Sequence, residues 1–138
     1  MVVLIDTNVV INYITGRDDD EKEASRKIME LCASDYLQGF LAFHSLSIIW
    51  YVLRKKPKEE TRKWLKNICE ILTVTGASHS EVLDAINNEK FTDFEDCLQV
   101  KCAKQASADY IITVNTRDYT LSPIPAIMPS DLLKILPR

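Results

Sequence analysis

VVLIDTN, residues 2–8, places Val2, Val3, Leu4 and Ile5 directly before an aspartate. An unbroken apolar run of this length, rich in β-branched residues, suits a strand buried on both faces of a parallel sheet. Asp6 or Thr7 can then cap a helix carrying Val9, Val10, Ile11 and Tyr13. That helix stops near Gly16, a residue suited to the left-handed conformation at a helix C-terminus. Strand, acid and helix make one βα unit.

A second unit follows the same logic later in the chain. Asp93 precedes a helix expected over 94–105, with Cys97, Leu98, Val100, Lys101 and Ala103 along it, and residues 110–113 (YIIT) read as the next strand. Between the two units, 20–33 has apolar residues at helical spacing (Ala24, Ile28, Leu31, Cys32) with charges on the other face. Residues 40–43 read as a short strand, and Ser45 or Ser47 as the start of a helix through Ile48, Ile49, Tyr51, Val52 and Leu53 that Pro57 interrupts. A helix over 58–70, a strand over 71–74, a break at Gly76 and a helix over 80–87 complete the middle. Near the end, Ala126, Ile127 and Met128 form an edge strand, and Pro129-Ser130-Asp131 opens a final helix over 132–136. Strands alternating with helices predict a three-layer α/β/α sandwich with a mostly parallel central sheet.

The 138 residues, 46% of them hydrophobic, suffice for one domain spanning 1–138. With 27% charged residues and a net charge of -3, the chain is neither disordered in composition nor a strongly basic nucleic-acid binder, so any contact with a polyanion must use a local patch. Cys32, Cys69, Cys97 and Cys102 show neither paired zinc-site spacing nor the density of a disulfide scaffold. Reduced thiols in a cytoplasm are expected. No apolar run has the length of a membrane helix, and residues 1–5 enter the first strand without an export signal before them, so no membrane association is expected.

In open parallel sheets, ligands collect beyond the carboxyl ends of the strands. Asp6 ends the first strand, Asp93 and Asp96 begin the long helix, and Asn115 and Asp118 lie in the turn after 110–113. Each acid has a structural role open to it. Asp6 and Asp93 can cap helices, with Asp96 at the third helical position, and Asp118 can stabilise a turn. Together, carboxylates at equivalent ends of separate strands repel one another and call for a cation. Magnesium and manganese take hard oxygen ligands, and two or three carboxylates hold one or two such ions.

VVLIDTN at 2–8, FTDFEDCLQ at 91–99 and ADYIITVNTRDY at 108–119, in this order, resemble the PIN-domain family, and SPIPAIMPSDLL at 122–133 is similar to that family's closing strand and helix. The resemblance implies a small Mg2+- or Mn2+-dependent ribonuclease fold, a group that includes the toxins of VapBC-type toxin-antitoxin pairs. It implies Asp6, Asp96 and Asp118 as catalytic, metal-holding acids, Asn115 as a neutral oxygen ligand, and Asp93, Asn8 and Thr113 in support. The partners it implies are an RNA substrate, an antitoxin protein and a second copy of the chain. Apolar residues around Trp50, Tyr51 and Leu53 fit such pairing.

The family usually carries an acid on the helix after the second strand, where this chain reads SLSIIWYVLRK and has no Asp or Glu between Gln38 and Lys58. With Ile48 or Ile49 at that place, the expected site is one carboxylate short and suited to one ion rather than two. Arg54, Lys55 and Lys56 head the one basic concentration and are either phosphate contacts or the ordinary charged face of a helix against water, with Trp64 either stacking a base or packing in the core. His44 and His79 stand apart from any ligand partner and receive no role. Two other functions fit parts of the pattern. One is a catalytically weakened RNA- or protein-binding module. The other is a phosphatase in which Asp6 forms a phosphoaspartate, although Asn8 stands where the partner acid belongs.

Overall fold

The computed structural model describes residues 1–17 and 20–137. Its centre is a five-stranded sheet of β1 (Val2–Ile5), β2 (Gln38–Ala42), β3 (Thr73–Thr75), β4 (Tyr110–Ile112) and β5 (Ala126–Ile127). The order across the sheet is β3-β2-β1-β4-β5, and all four pairings are parallel. The expected mostly parallel sheet is therefore parallel throughout the described residues. Helices α1 (Thr7–Thr15), α2 (Lys22–Ala33), α3 (Phe43–Val52), α4 (Lys58–Ile71), α5 (His79–Asn87), α6 (Phe94–Gln105) and α7 (Pro129–Ile135) connect and cover it.

Strand alternation sends successive side chains to opposite faces, and this divides the core. Val3, Ile5, Leu41 and Ile112 pack with Val10 and Ile14 of α1, Ile28 and Met29 of α2, Ile49 of α3, Ile68 of α4 and Leu132 of α7. Leu4, Ala42 and Ile111 pack instead with Val100, Cys102 and Ala103 of α6 and with Tyr119. Glu21, just before α2, accepts hydrogen bonds from the Ser130 hydroxyl (2.6 Å) and backbone N–H (3.1 Å), tying α7 to this layer. In β2, a Cβ at Gly39 would lie 2.5 Å from Leu72 Cδ2 and 2.7 Å from Cys32 Sγ, so α2 and the end of α4 close on bare backbone there.

The local signals act as expected at β1, α1 and α6. Asp6 accepts the Thr7 N–H, Gly16 ends α1 at φ 62°, and Asp93 caps α6 by accepting the Glu95 N–H at 2.9 Å. Several boundaries differ. The second strand starts at Gln38, and Phe43 belongs to α3 with a 69% exposed side chain. Neither Ser45 nor Ser47 caps α3: Ser45 is buried against Thr7, and Ser47 donates to the His44 carbonyl inside the helix. Helix α4 continues through Ile71, so β3 begins at Thr73 rather than at 71. Met128 caps α7 instead of extending β5, and the last helix starts at Pro129. Residues 18 and 19, just before the expected 20–33 helix, lie outside the described residues.

The chain leaves β1 for β2 and β3 on one side and later crosses back to β4 on the other. β1 and β4 therefore flank the switch point where open α/β sheets form a crevice. Helix α6 delivers the chain to the start of β4, which puts its first turn at the opposite, carboxyl end of the sheet. The first turns of α1 and α3 lie at that end too.

Candidate active site

Asp6 leaves β1 with its backbone N–H still bonded to the Ile112 carbonyl of β4 (2.9 Å), and its side chain is 5% exposed. Both carboxylate oxygens are held. Oδ1 accepts the Thr7 N–H (2.8 Å) and Gln99 Nε2 (2.9 Å), while Oδ2 accepts the Thr113 hydroxyl (2.7 Å). Thr113 Oγ1 in turn accepts the Asn115 N–H (3.0 Å), so one threonine joins Asp6 to the turn after β4. Burial raises the Asp6 carboxyl above the ordinary aspartate range, and the bonds from Thr113, Thr7 and Gln99 pull it partly back.

Asp96, in the first turn of α6, is 9% exposed and accepts the Tyr119 hydroxyl at 3.3 Å. Burial and then the charges of Asp93, Asp6 and Asp118 push it up to about 6. Asp118 sits exposed on a short 3-10 helix, Thr116–Tyr119, that starts after Asn115. Asp6, Asp96, Asp118, Asn115, Asn8 and Asp93 all line one cleft of about 290 Å³ at the carboxyl end of the sheet. Thr113 lies beneath it, fully buried. The structure thus brings together every acid singled out in the sequence.

It adds one that sequence reasoning missed. Glu95 lines the same cleft, and a carboxylate oxygen from each of Asp93, Glu95 and Asp96 lies within 4.8 Å of the others. Its Oε1 accepts the Thr7 hydroxyl at 3.3 Å and faces His44 Nε2 of α3 at 3.8 Å. Desolvation, followed by the charges of Asp6, Asp96 and Asp93, pushes Glu95 up to about 7. The available signal was its place between two acids in DFED. Ile48 of α3 lines the cleft, whereas Ile49 is buried in the core, so Ile48 occupies the place where the expected helix acid is missing. Glu95 reaches the cleft from α6 instead.

The interior of the site is rigidly bonded. Gln99, fully buried, directs Nε2 to Asp6, to Thr7 Oγ1 (3.1 Å) and to Ser45 Oγ (3.4 Å), and the Thr7 and Ser45 hydroxyls are 2.7 Å apart. Among the described residues, no lysine or arginine forms an ion pair with Asp6, Asp93, Glu95, Asp96 or Asp118. The donors are carboxylates, the amides of Asn8 and Asn115 and the Thr7 hydroxyl, with no thiol or imidazole among the described lining residues, and this oxygen-rich set fits a hard divalent cation. Among the described residues, no lysine lines the cleft beside Asp6, which leaves a phosphoaspartate without its balancing cation.

Arg54, Lys55 and Lys56 follow the far end of α3, about 13 Å along its axis from Ser45 at 1.5 Å per residue. They are exposed and outside the cleft lining. The Arg54 guanidinium lies 4.1 Å over the Tyr51 ring, and Lys56 pairs with Glu60. Trp64 packs on the core edge-to-face with Tyr13, the ring centroids 6.2 Å apart. Tyr51 is exposed and Leu53 buried. Cys32, Cys69, Cys97 and Cys102 are all free, and no helix among the described residues is long and apolar enough to cross a membrane.

A parallel α/β sheet in 3-2-1-4-5 order with acids gathered beyond β1 and β4 defines a class of fold and site, and the comparisons give it a name. A sequence model of the PIN domain matches residues 2–117, and the chain belongs to the PIN-domain family. Solved structures with the same fold include a chain of VapBC2 from Rickettsia felis, crystallised bound to a DNA fragment from its promoter, at TM-score 0.70 and 17% identity over 93% of this chain and 98% of that one. A chain of VapBC-1 from nontypeable Haemophilus influenzae aligns at TM-score 0.69 and 15% identity, covering 94% of this chain and 99% of that one. No curated protein matches the sequence.

Proposed function

We propose that the protein is a metal-dependent endoribonuclease whose acid cleft cuts an RNA phosphodiester. The observation that carries this reading is the convergence of carboxylates from β1, α6 and the turn after β4 in one cleft where, among the described residues, no lysine or arginine forms an ion pair with them. Asp6, Asp96 and Asp118, with Glu95 in place of the acid absent from α3 and Asn115 as a neutral oxygen donor, would hold Mg2+ or Mn2+. Such an ion, when bound, acidifies a water and offsets charge on the phosphate.

The chain's own contribution is to fix the ligands. Three hydrogen bonds orient the Asp6 carboxylate, and the Tyr119 hydroxyl bonds one oxygen of Asp96 at 3.3 Å. Asp93 spends one oxygen on capping α6 and holds the first turn that presents Glu95 and Asp96. Thr7, bonded to both Ser45 and Glu95, sets Glu95 against α3.

The family and the VapBC-like folds support a toxin of a toxin-antitoxin pair, with an antitoxin and a second copy of the chain as partners. The exposed Phe43, Tyr51 and Val52 on α3 offer apolar area for pairing. Four free cysteines suit a reducing cytoplasm. The test is cleavage of single-stranded and structured RNAs by the purified chain with Mg2+ or Mn2+. Cleavage that needs both the metal and Asp6 supports the reading. Ile48 in place of an acid favours the second reading, a binding module, and RNA affinity without Mn2+ binding in calorimetry would establish that instead.

A further inference from the structure

A second cleft, of about 360 Å³, adjoins the acid cleft and shares Asp93, Asp96 and Asp118 with it. The rest of its lining differs in charge, carrying Lys90 from the segment before α6 and Arg117 from the 3-10 helix. Neither cation forms an ion pair among the described residues, although three carboxylates line the same cleft. Both side chains are exposed and free to meet an anion from solution. The hydroxyls of Thr92 and Thr120 add hydrogen-bond donors to the lining.

We propose that this second cleft seats the phosphate next to the scissile one on a single RNA strand, with Lys90 and Arg117 as its cations. The inference rests on the nuclease reading of the adjoining acids. A polyanion is repelled by an acid-rich cleft on a chain of net charge -3, and local cations offset that repulsion. A metal would neutralise the acids at the reacting phosphate, and fixed cations one step along the strand would hold its neighbour and set the register. Arg117 is next to Asp118 on one short helix, so the same backbone places a metal-side acid and a phosphate-side cation. This assigns the local patch to the cleft rather than to Arg54, Lys55 and Lys56.

The test is an anisotropy titration of a labelled single-stranded oligoribonucleotide with the full chain and Mn2+, in an Asp6→Asn background so that the RNA stays intact. Adding Lys90→Gln and Arg117→Gln should weaken binding several-fold and make the log–log salt dependence shallower by about 0.7 for each phosphate no longer neutralised by the protein. Arg54→Gln with Lys55→Gln is the control for general attraction. Affinity and salt slope unchanged from the background would overturn the subsite, as would an equal loss from the control pair. Thermal melts check that each variant folds. Mn2+-dependent cleavage by the unmodified chain tests the nuclease reading separately, and the binding result keeps its meaning if that cleavage is absent.

Discussion

Helix α6 carries two groups of buried charge, and the fold treats them in opposite ways. Lys101, 8% exposed in its middle, is met by two acids of α5: its ammonium bonds Asp84 and lies 3.2 Å from Glu81. One turn and a half earlier on the same helix, Glu95 and Asp96 face Asp6 and Asp118, and among the described residues none of these four acids forms an ion pair with a lysine or arginine. Buried charge without a partner is unfavourable, and on the proposed reading a bound cation would supply the partner that the open group lacks.

The largest effect should come from the open group. Asp6→Asn keeps the shape of the side chain but removes a ligand charge, and RNA cleavage is expected to fall on the order of a thousandfold, as loss of several kcal/mol of metal-assisted stabilisation implies. The metal-free variant should melt higher than the parent at pH 8, because a desolvated negative charge has gone. A melting temperature below the parent's would show that the carboxylate is structural.

The pH response separates the two groups next. Asp96 and Glu95 titrate near 6 and 7 in the folded chain but near 3.8 and 4.5 when unfolded, so between those values the folded state binds more protons and loses stability as pH rises. Metal-free protein should therefore lose about 2 kcal/mol from pH 5 to pH 8, since a tenfold change in proton affinity is worth about 1.4 kcal/mol and solvent screening at the part-exposed Glu95 reduces its share. Saturating Mn2+ should flatten that slope. The α5–α6 pair contributes nothing in this window: Asp84 is held below the usual range by Lys101, and Lys101 is raised by Asp84, so both stay charged. Denaturant melts against pH, with and without Mn2+, measure both responses.

How far this contrast was legible in the sequence depends on the range of each interaction. VVLI, DTN and the Asp93 cap are local, and they placed β1, α1 and α6 with their acids at the correct end of the sheet. The switch from β2 to α3 was hidden because Phe40 to Phe43 stay apolar across it, and Ile71 likewise continues α4 where its apolar run predicts a strand. Glu95 escaped for a different reason. Helix α6 buries Cys97, Gln99, Val100, Lys101, Cys102 and Ala103, so no polar face fixes its rotation from sequence alone. The pairing of Lys101 with Asp84 and Glu81 depends on how α5 packs, which no local pattern encodes.

Moving the acid from one helix to another tests that reading of Glu95 at a smaller scale. Glu95→Gln should weaken Mn2+ binding about tenfold, the loss of one charged oxygen ligand among several, or about 1.4 kcal/mol. Ile48→Glu in the same chain puts a carboxylate on α3, facing the cleft, and should restore most of that affinity. Calorimetry with Mn2+ reads both. If Glu95→Gln binds the metal as tightly as the parent, the cleft needs only the acids foreseen in the sequence.

The smallest effect is expected on the paired side, and it sharpens the comparison most. Lys101→Met removes a buried charge while the exposed Asp84 and the part-exposed Glu81 can turn to water. Replacing a buried charge by an apolar chain of similar length is often neutral, so stability should stay within about 1 kcal/mol of the parent, and Mn2+ affinity should not change. The reverse experiment is not symmetrical. Glu81→Gln with Asp84→Asn strands the ammonium in the protein without a counter-charge, and should lower the melting temperature more than Lys101→Met does. An equal or smaller drop would mean that Lys101 reaches water by itself. The contrast along α6 would then reflect exposure rather than a cation missing from the acid cleft.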